Sequence, residues 1–334
     1  MISRILLFLA IAAVLGAAAL GGWLSQSLEP LTDEAEPVLF TVEPGESLRG
    51  IATRLQREGL VRDVEATVLL ARYRELGQKL SAGEFFLSAD QSPSEILDVL
   101  VKGRPATYPV SIPEGLTAVE IGRVIADAGL VDREAFDAAF ASADLLERWE
   151  IPAENLEGYL FPETYRFPKG LDGEQVVEVM LEQFEQAWGQ VAARAAERGL
   201  SRHEVVILAS IVEKETGAAE ERPLIASVFA NRIERNMRLE SDPTIIYGIP
   251  DFDGNLRRRH LDDASNLYNT YQHSGLTPGP IANPGLASLE AVVAPAESDY
   301  LFFVSRNDGT HVFSESYRDH VRAVDRYQRR RGGS

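Results

Sequence analysis

The sequence predicts an α+β protein carried on an N-terminal transmembrane helix, and three observations lead there. An uncharged run of 20 residues, Ile5 to Leu24, opens the chain. A strand, a glycine turn and a capped helix then occur twice. Stretches of helical periodicity follow, and near the C-terminus two short strand patterns flank the turn Asn307-Asp308-Gly309.

Taken in order, the apolar run is long enough at about 1.5 Å per residue to cross a bilayer core of ~30 Å. It exceeds the usual span of a cleaved signal segment, so residues 1–24 read as a retained anchor. Arg4 precedes it, whereas Glu29, Asp33, Glu34 and Glu36 follow, with no Lys or Arg before Arg49. The positive-inside rule therefore places the N-terminus in the cytoplasm and the rest of the chain outside the cytoplasmic membrane. Trp23 suits the outer interface. Residues 25–37, acidic and Pro-containing, read as an extended linker.

Residues 38–135 read as a small subdomain with an internal repeat. "TVEPGESLRGIATRLQREGLV" supplies a strand, a turn at Pro44-Gly45, Ser47 as helix cap, Ile51 and Leu55 on one helical face, and Gly59 as a stop. Seventy residues on, Gly115, Thr117, Ile121, Ile125 and Gly129 repeat that plan. The first copy resembles a LysM module, a small glycan-binding unit, through Pro44-Gly45-Glu46-Ser47-Leu48; a βα unit that serves only as scaffold is the alternative. Residues 136–334 then read as a second domain of mixed α and β structure. Its helical periodicity appears in "REAFDAAFASADLLERW" and "GEQVVEVMLEQFEQAWGQVAARAAERG", and the aromatic, Pro-containing stretch Leu156 to Gly170 between them reads as a loop.

Composition narrows the function. The 334 residues carry 33 Lys and Arg against 51 Asp and Glu, a formal charge of −18, which repels phosphate backbones and makes nucleic acid an unsuitable partner. There is no cysteine, so no disulfide, thiolate nucleophile or thiolate metal site is available. The five histidines show no metal-ligand spacing, and neither a metal nor another cofactor is expected.

The chemistry concentrates in "VVILASIVEKETG", Val205 to Gly217. Helical spacing places Glu213 on a stripe with Ala209, Ser210, Thr216 and Gly217, whose small side chains leave room for a cleft. Glu215 follows the bulky Leu208, Ile211 and Val212, a face suited to a core. A carboxyl resting on apolar walls at a cleft is suited to donate a proton; a plain polar helix end is the alternative.

This block, with "ERPLIASVFANRIERNMRLESDPTIIYG" and "YNTYQHSGLTPGPIANPGLASLEAVVAPAESDYLFFV", closely resembles the MltG or YceG-like family of membrane-anchored endolytic murein transglycosylases. The resemblance implies cleavage of the β-1,4 bond between N-acetylmuramic acid and N-acetylglucosamine within nascent glycan strands. The products would bear 1,6-anhydro ends, and strand length would be limited. It implies Glu213 as the catalytic acid, and Tyr268, Asn269, Tyr271, Glu163, Tyr165 and Asp242 as residues lining the cleft. Peptidoglycan synthases are the implied protein partners. Because the sugar's own C6 hydroxyl attacks C1, the paired carboxylate of a hydrolase is dispensable. A noncatalytic glycan-binding or synthase-recruiting scaffold and a hydrolytic muramidase are the competing readings.

Overall fold

The computed structural model describes residues 2–77, 79–103 and 106–329; the side chains of residues 2–10, 13 and 329 lie outside that description. The structure is mixed α+β. Helix α1 (Ile2–Ser27) leads into β1 (Val38–Val42), α2 (Leu48–Arg57), α3 (Val64–Tyr73), β2 (Gly83–Leu87) and α4 (Pro93–Lys102). Then come β3 (Thr107–Ser111), α5 (Ala118–Asp127), α6 (Arg133–Phe140), α7 (Ala143–Arg148), β4 (Thr164–Pro168), α8 (Gly173–Glu197) and α9 (Arg202–Glu215). The chain closes with α10 (Arg222–Glu234), α11 (Asp242–Tyr247), α12 (Arg258–Leu261), α13 (Leu286–Val293), β5 (Phe302–Ser305), β6 (His311–Ser314) and α14 (Tyr317–Val324).

Among the described residues no helix is long and apolar enough to cross a membrane. The span expected over Ile5–Leu24 lies within α1, but the side chains of residues 5–10 and 13 fall outside the described set. The stretch read as an extended linker is laid along the protein instead. The Leu31 and Thr32 amides donate to the Ala89 carbonyl at 2.9 and 3.3 Å. Arg62 donates to the Pro30 carbonyl at 2.9 Å, and the Ser88 hydroxyl to that of Ala35 at 2.9 Å. Acidic, Pro-containing composition predicts an exposed backbone, yet here that backbone finds protein partners.

The repeat is visible in the backbone. Gly45 and Gly115 share φ of 77°, a left-handed value that a side chain disfavours. Ser47 caps its helix by accepting from the Gly50 amide, and Thr117 does the same within a full capping box with Glu120. Ile51 and Leu55 in one copy, and Ile121 and Ile125 in the other, are buried. Their sheets differ, however. Strand β1 pairs antiparallel with β2, from Val38 opposite Leu87 to Val42 opposite Gly83, while β3 pairs with β4. Strand β4 occupies part of the stretch read as a loop: Tyr165 and Phe167 alternate inward against exposed Thr164 and Arg166, a pattern too short to stand out between flanking prolines.

Two compact units result, Met1–Tyr108 with Arg166–Gly170, and Pro109–Tyr165 with Leu171–Ser334. The packing thus divides ahead of the boundary at 135 that the repeat suggests, and the second copy belongs with the second unit. A buried carboxyl ties that copy to the rest of its unit. Glu157 accepts from the Ala118 amide at the start of α5 at 3.0 Å and from the Asn283 side chain at 2.7 Å; Asn283 in turn donates to the Leu116 carbonyl at 3.0 Å. The first unit is organised around Phe40, Leu55, Phe85, Leu87, Ile96 and Leu100. In the second, α9 is buried from Val205 through Val212 because α8, α10, α11 and α13 all pack on it. A helix covered on every side is apolar all round.

Candidate active site

Helix α9 begins with a capping box between Ser201 and Glu204 and ends at Glu215. Thr216 closes it, its hydroxyl donating to the Val212 carbonyl at 2.7 Å, and its backbone turns extended. Gly217 follows because a Cβ there would lie 2.4 Å from the Gly309 carbonyl oxygen in the β5–β6 turn. Gly217→Ala is therefore expected to destabilise the protein by about 1–3 kcal/mol, the usual cost of overpacking. Equilibrium urea unfolding measures this, with a lowered midpoint as the expected result.

The three charged residues at this helix end take separate directions. Lys214 reaches the Gly115 carbonyl with its Nζ, 3.1 Å away. The Glu213 side chain is only 7% exposed and is enclosed by donors. Arg222, the first residue of α10, donates to Oε1 at 3.1 Å, while the Gly285 amide and the Ser288 hydroxyl donate to Oε2 at 3.1 and 2.7 Å. Glu114 also approaches Arg222, at 3.5 Å, and burial together with the nearby Glu213 charge raises its pKa. Two small residues of the Glu213 stripe lie inside the core, whereas Thr216 is partly exposed and Gly217 exposed. Ala209 and Ser210 are fully buried, and the Ser210 hydroxyl accepts the Ile281 amide at 3.0 Å.

Glu215 points elsewhere, into a cavity of about 400 Å³ lined also by Asp242, Tyr271, Arg232, Glu240 and residues of β5, β6 and α14. The Ser241 hydroxyl donates to its Oε1 at 2.6 Å. Burial pushes the Glu215 pKa up to about 7, and the Asp242 charge adds to the rise, against the Ser241 hydrogen bond and Arg232. Tyr271 donates from its hydroxyl to Asp242 at 2.9 Å, and burial followed by that negative charge raises the phenol's pKa. A carboxyl whose pKa is raised by burial thus shares a cavity with a hydrogen-bonded carboxylate–phenol pair.

The remaining expected site residues separate. Asn269 is fully buried: its amide donates to the His260, Leu261 and Asp263 carbonyls, at 3.1, 3.2 and 2.8 Å, and its side-chain oxygen accepts the Tyr271 amide at 3.0 Å. It shapes the loop that holds Tyr271 and presents no free amide to a ligand. Tyr268 lines a different cavity of about 580 Å³, with Leu267, Glu154, Pro278 and Pro280. Tyr165 is buried in β4 with its hydroxyl donating to the Phe161 carbonyl at 2.5 Å, and burial raises its pKa. Glu163 is exposed and accepts the amide of its neighbour Thr164. Of the expected set, then, Asp242 and Tyr271 converge, and they converge on Glu215. Ser241, Arg232, Arg222 and Ser288 were not singled out by sequence; only the Ser241-Asp242-Pro243 helix start gave a local cue.

The family model described as the YceG-like family matches residues 40–326. The chain belongs to the YceG-like family. Curated relatives of this YceG-like chain include the "Endolytic murein transglycosylase" of Bacillus subtilis, 29% identical over 90% of this chain and 88% of that protein. The protein of the same name from Streptococcus pneumoniae is 29% identical over 95% of this chain, which spans 64% of that longer protein. A crystal structure of a yceG-like protein from Listeria monocytogenes superposes with a TM-score of 0.60 at 27% identity, covering 86% of this chain and 98% of that one.

Proposed function

We propose that this YceG-like chain is an endolytic murein transglycosylase in which Glu215, rather than Glu213, carries the proton. Its relatives of that name support the reaction class. The observation that supports the residue is the contrast in surroundings: Glu215 faces a cavity with a pKa of about 7, whereas both Glu213 oxygens accept from protein donors. The Glu215 carboxyl protonates the glycosidic oxygen as the C1–O bond of the muramic acid breaks. The C6 hydroxyl oxygen bonds to C1, and the carboxylate takes the hydroxyl's proton, which restores the acid and leaves a 1,6-anhydro end. Asp242, held by Tyr271, faces the positive charge that develops at C1.

A hydrolytic muramidase is the second reading, favoured by the presence of Asp242 beside Glu215 in one cavity. Mass analysis of digestion products decides: 1,6-anhydro ends, one water lighter, support the lytic reaction, and reducing ends overturn it. A noncatalytic scaffold is overturned by product of either kind. Because the acid must enter protonated, kcat/KM is expected to fall as pH rises through about 7, with a slope of one proton, in a pH–rate profile on soluble glycan.

The same reading includes a single membrane anchor at Ile5–Leu24, supported by the charge asymmetry around it and by the helical backbone of α1, with the two units outside the cytoplasmic membrane. It includes a LysM-like role for the subdomain of residues 38–135, supported by the strand, the Pro44-Gly45 turn and the Ser47-capped helix of its first copy. Anchored in this way, the enzyme meets newly made strands at a raised effective concentration beside their synthases.

A further inference from the structure

The cavity that holds Glu215 has a second wall, built from β5 and α14, whose residues differ in kind. Phe302, Tyr317 and His320 form a ring cluster there: Phe302 lies 5.8 Å from Tyr317 and 5.2 Å from His320, the latter nearly parallel at 26°. Arg232 covers Phe302 from 5.2 Å, which fixes that ring. Tyr317 is 68% exposed although it is the first residue of α14 and borders a cavity. The His320 Nδ1 makes no hydrogen bond. Helix α14 is capped by Ser316 and buries Ala323, and of the cluster it is Tyr317 that stays largely uncovered.

A pyranose ring presents apolar C–H faces and an equatorial rim of hydroxyl and amide groups. It is suited to a wall where an uncovered aromatic face stands beside unpaired or charged hydrogen-bonding groups. We infer that Tyr317, backed by Phe302 and His320, is a saccharide-stacking subsite that holds an N-acetylhexosamine residue of the strand neighbouring the bond cut at Glu215. This rests on the proposed murein-cleaving role of the same cavity. His320 and Arg232 back the aromatic wall from inside the protein, Arg232 donating to Glu240, and the half-exposed Glu240 carboxylate offers the cavity a hydrogen-bond acceptor. Tyr317 is therefore a binding residue and not an acid or base.

The test uses full-length protein and uncrosslinked murein glycan oligosaccharides. In a Glu215→Gln background, which separates binding from turnover, Tyr317→Ala is expected to weaken oligosaccharide binding roughly 5–10-fold by calorimetry, the scale of one lost aromatic contact. Tyr317→Phe keeps the ring and is expected to stay within about twofold on the same stacking argument. Val179→Ala, which removes an exposed apolar side chain on α8 outside either proposed glycan surface, is expected to bind as its parent. In the otherwise native enzyme, Tyr317→Ala raises KM more than it lowers kcat. Unchanged affinity in Tyr317→Ala overturns the subsite. If affinity falls but native products carry reducing ends, the subsite stands and the lytic reading fails. If the Glu215→Gln protein binds no glycan at all, both fail.

Discussion

Glu215→Gln is expected to cut glycan turnover by about 10²–10⁴-fold, the usual contribution of a general acid–base, while the protein stays folded. The substitution keeps the shape of the side chain, and an amide can still accept the Ser241 hydroxyl that now reaches Oε1. What it removes is a transferable proton in a cavity shared with Asp242 and Tyr271. Loss could exceed that range because one group serves both proton transfers. Relative to the native protein, the glutamine variant should gain stability as pH rises from 4.5 toward about 7 and keep that gain above it. The native Glu215 carboxyl has a pKa raised to about 7, so the native state binds this proton more tightly than the unfolded chain, and a rise in pH toward that value costs stability. The glutamine variant does not incur that cost. Initial rates by product chromatography, with urea midpoints at pH 5 and pH 8, check both statements. Near-native turnover would return the proton to another residue.

Glu213→Ala is expected to act first on stability, lowering it by about 3 kcal/mol through loss of a buried ion pair. Its carboxylate is the partner of Arg222, whose side chain is 15% exposed, and it also collects the Gly285 amide and the Ser288 hydroxyl. Glu114, 3.5 Å from Arg222, offers the stranded guanidinium an alternative, which sets the loss at the lower end of the range for such pairs. Glu213→Gln retains an acceptor for Ser288 and should lose less. Turnover should fall only in proportion to misplacement of α10 and α13. Full stability combined with abolished turnover in Glu213→Gln would restore Glu213 as the acid and displace Glu215.

The two glutamates show where reading a sequence succeeds and where it stops. That the chemistry gathers at the end of an apolar helix is legible locally, since capping by Ser201, the run Val205–Val212 and the Thr216-Gly217 stop are neighbours in the chain. Which carboxyl faces a cavity depends on Arg222, Ser241, Gly285 and Ser288, brought in by other helices. Small residues beside Glu213 mark the close approach of α13 and the 281–285 segment, not open space; bulky residues near Glu215 sit one turn deeper than the carboxyl. The repeat was legible for the same local reason, through Gly45, Ser47 and their counterparts Gly115 and Thr117. The division at Tyr108 was not, because the contacts that join the second copy to its unit, such as Glu157 with Ala118 39 residues earlier, are distant in the chain.

The long reach of these contacts governs when the protein can become active during its own synthesis. Glu213 waits for Gly285 and Ser288, 72 and 75 residues later, and Leu160 donates to the Asn283 side chain 123 residues further on. The wall opposite Glu215 comes from β5, β6 and α14, among the last structure to be made. A chain emerging from its N-terminus can fold its first helices and strands early, but its cavity has no second side until residues 302–324 have followed. On the proposed role of Glu215, a chain ended before β5 is expected to be inert toward glycan, since its cavity lacks the wall that β5, β6 and α14 supply.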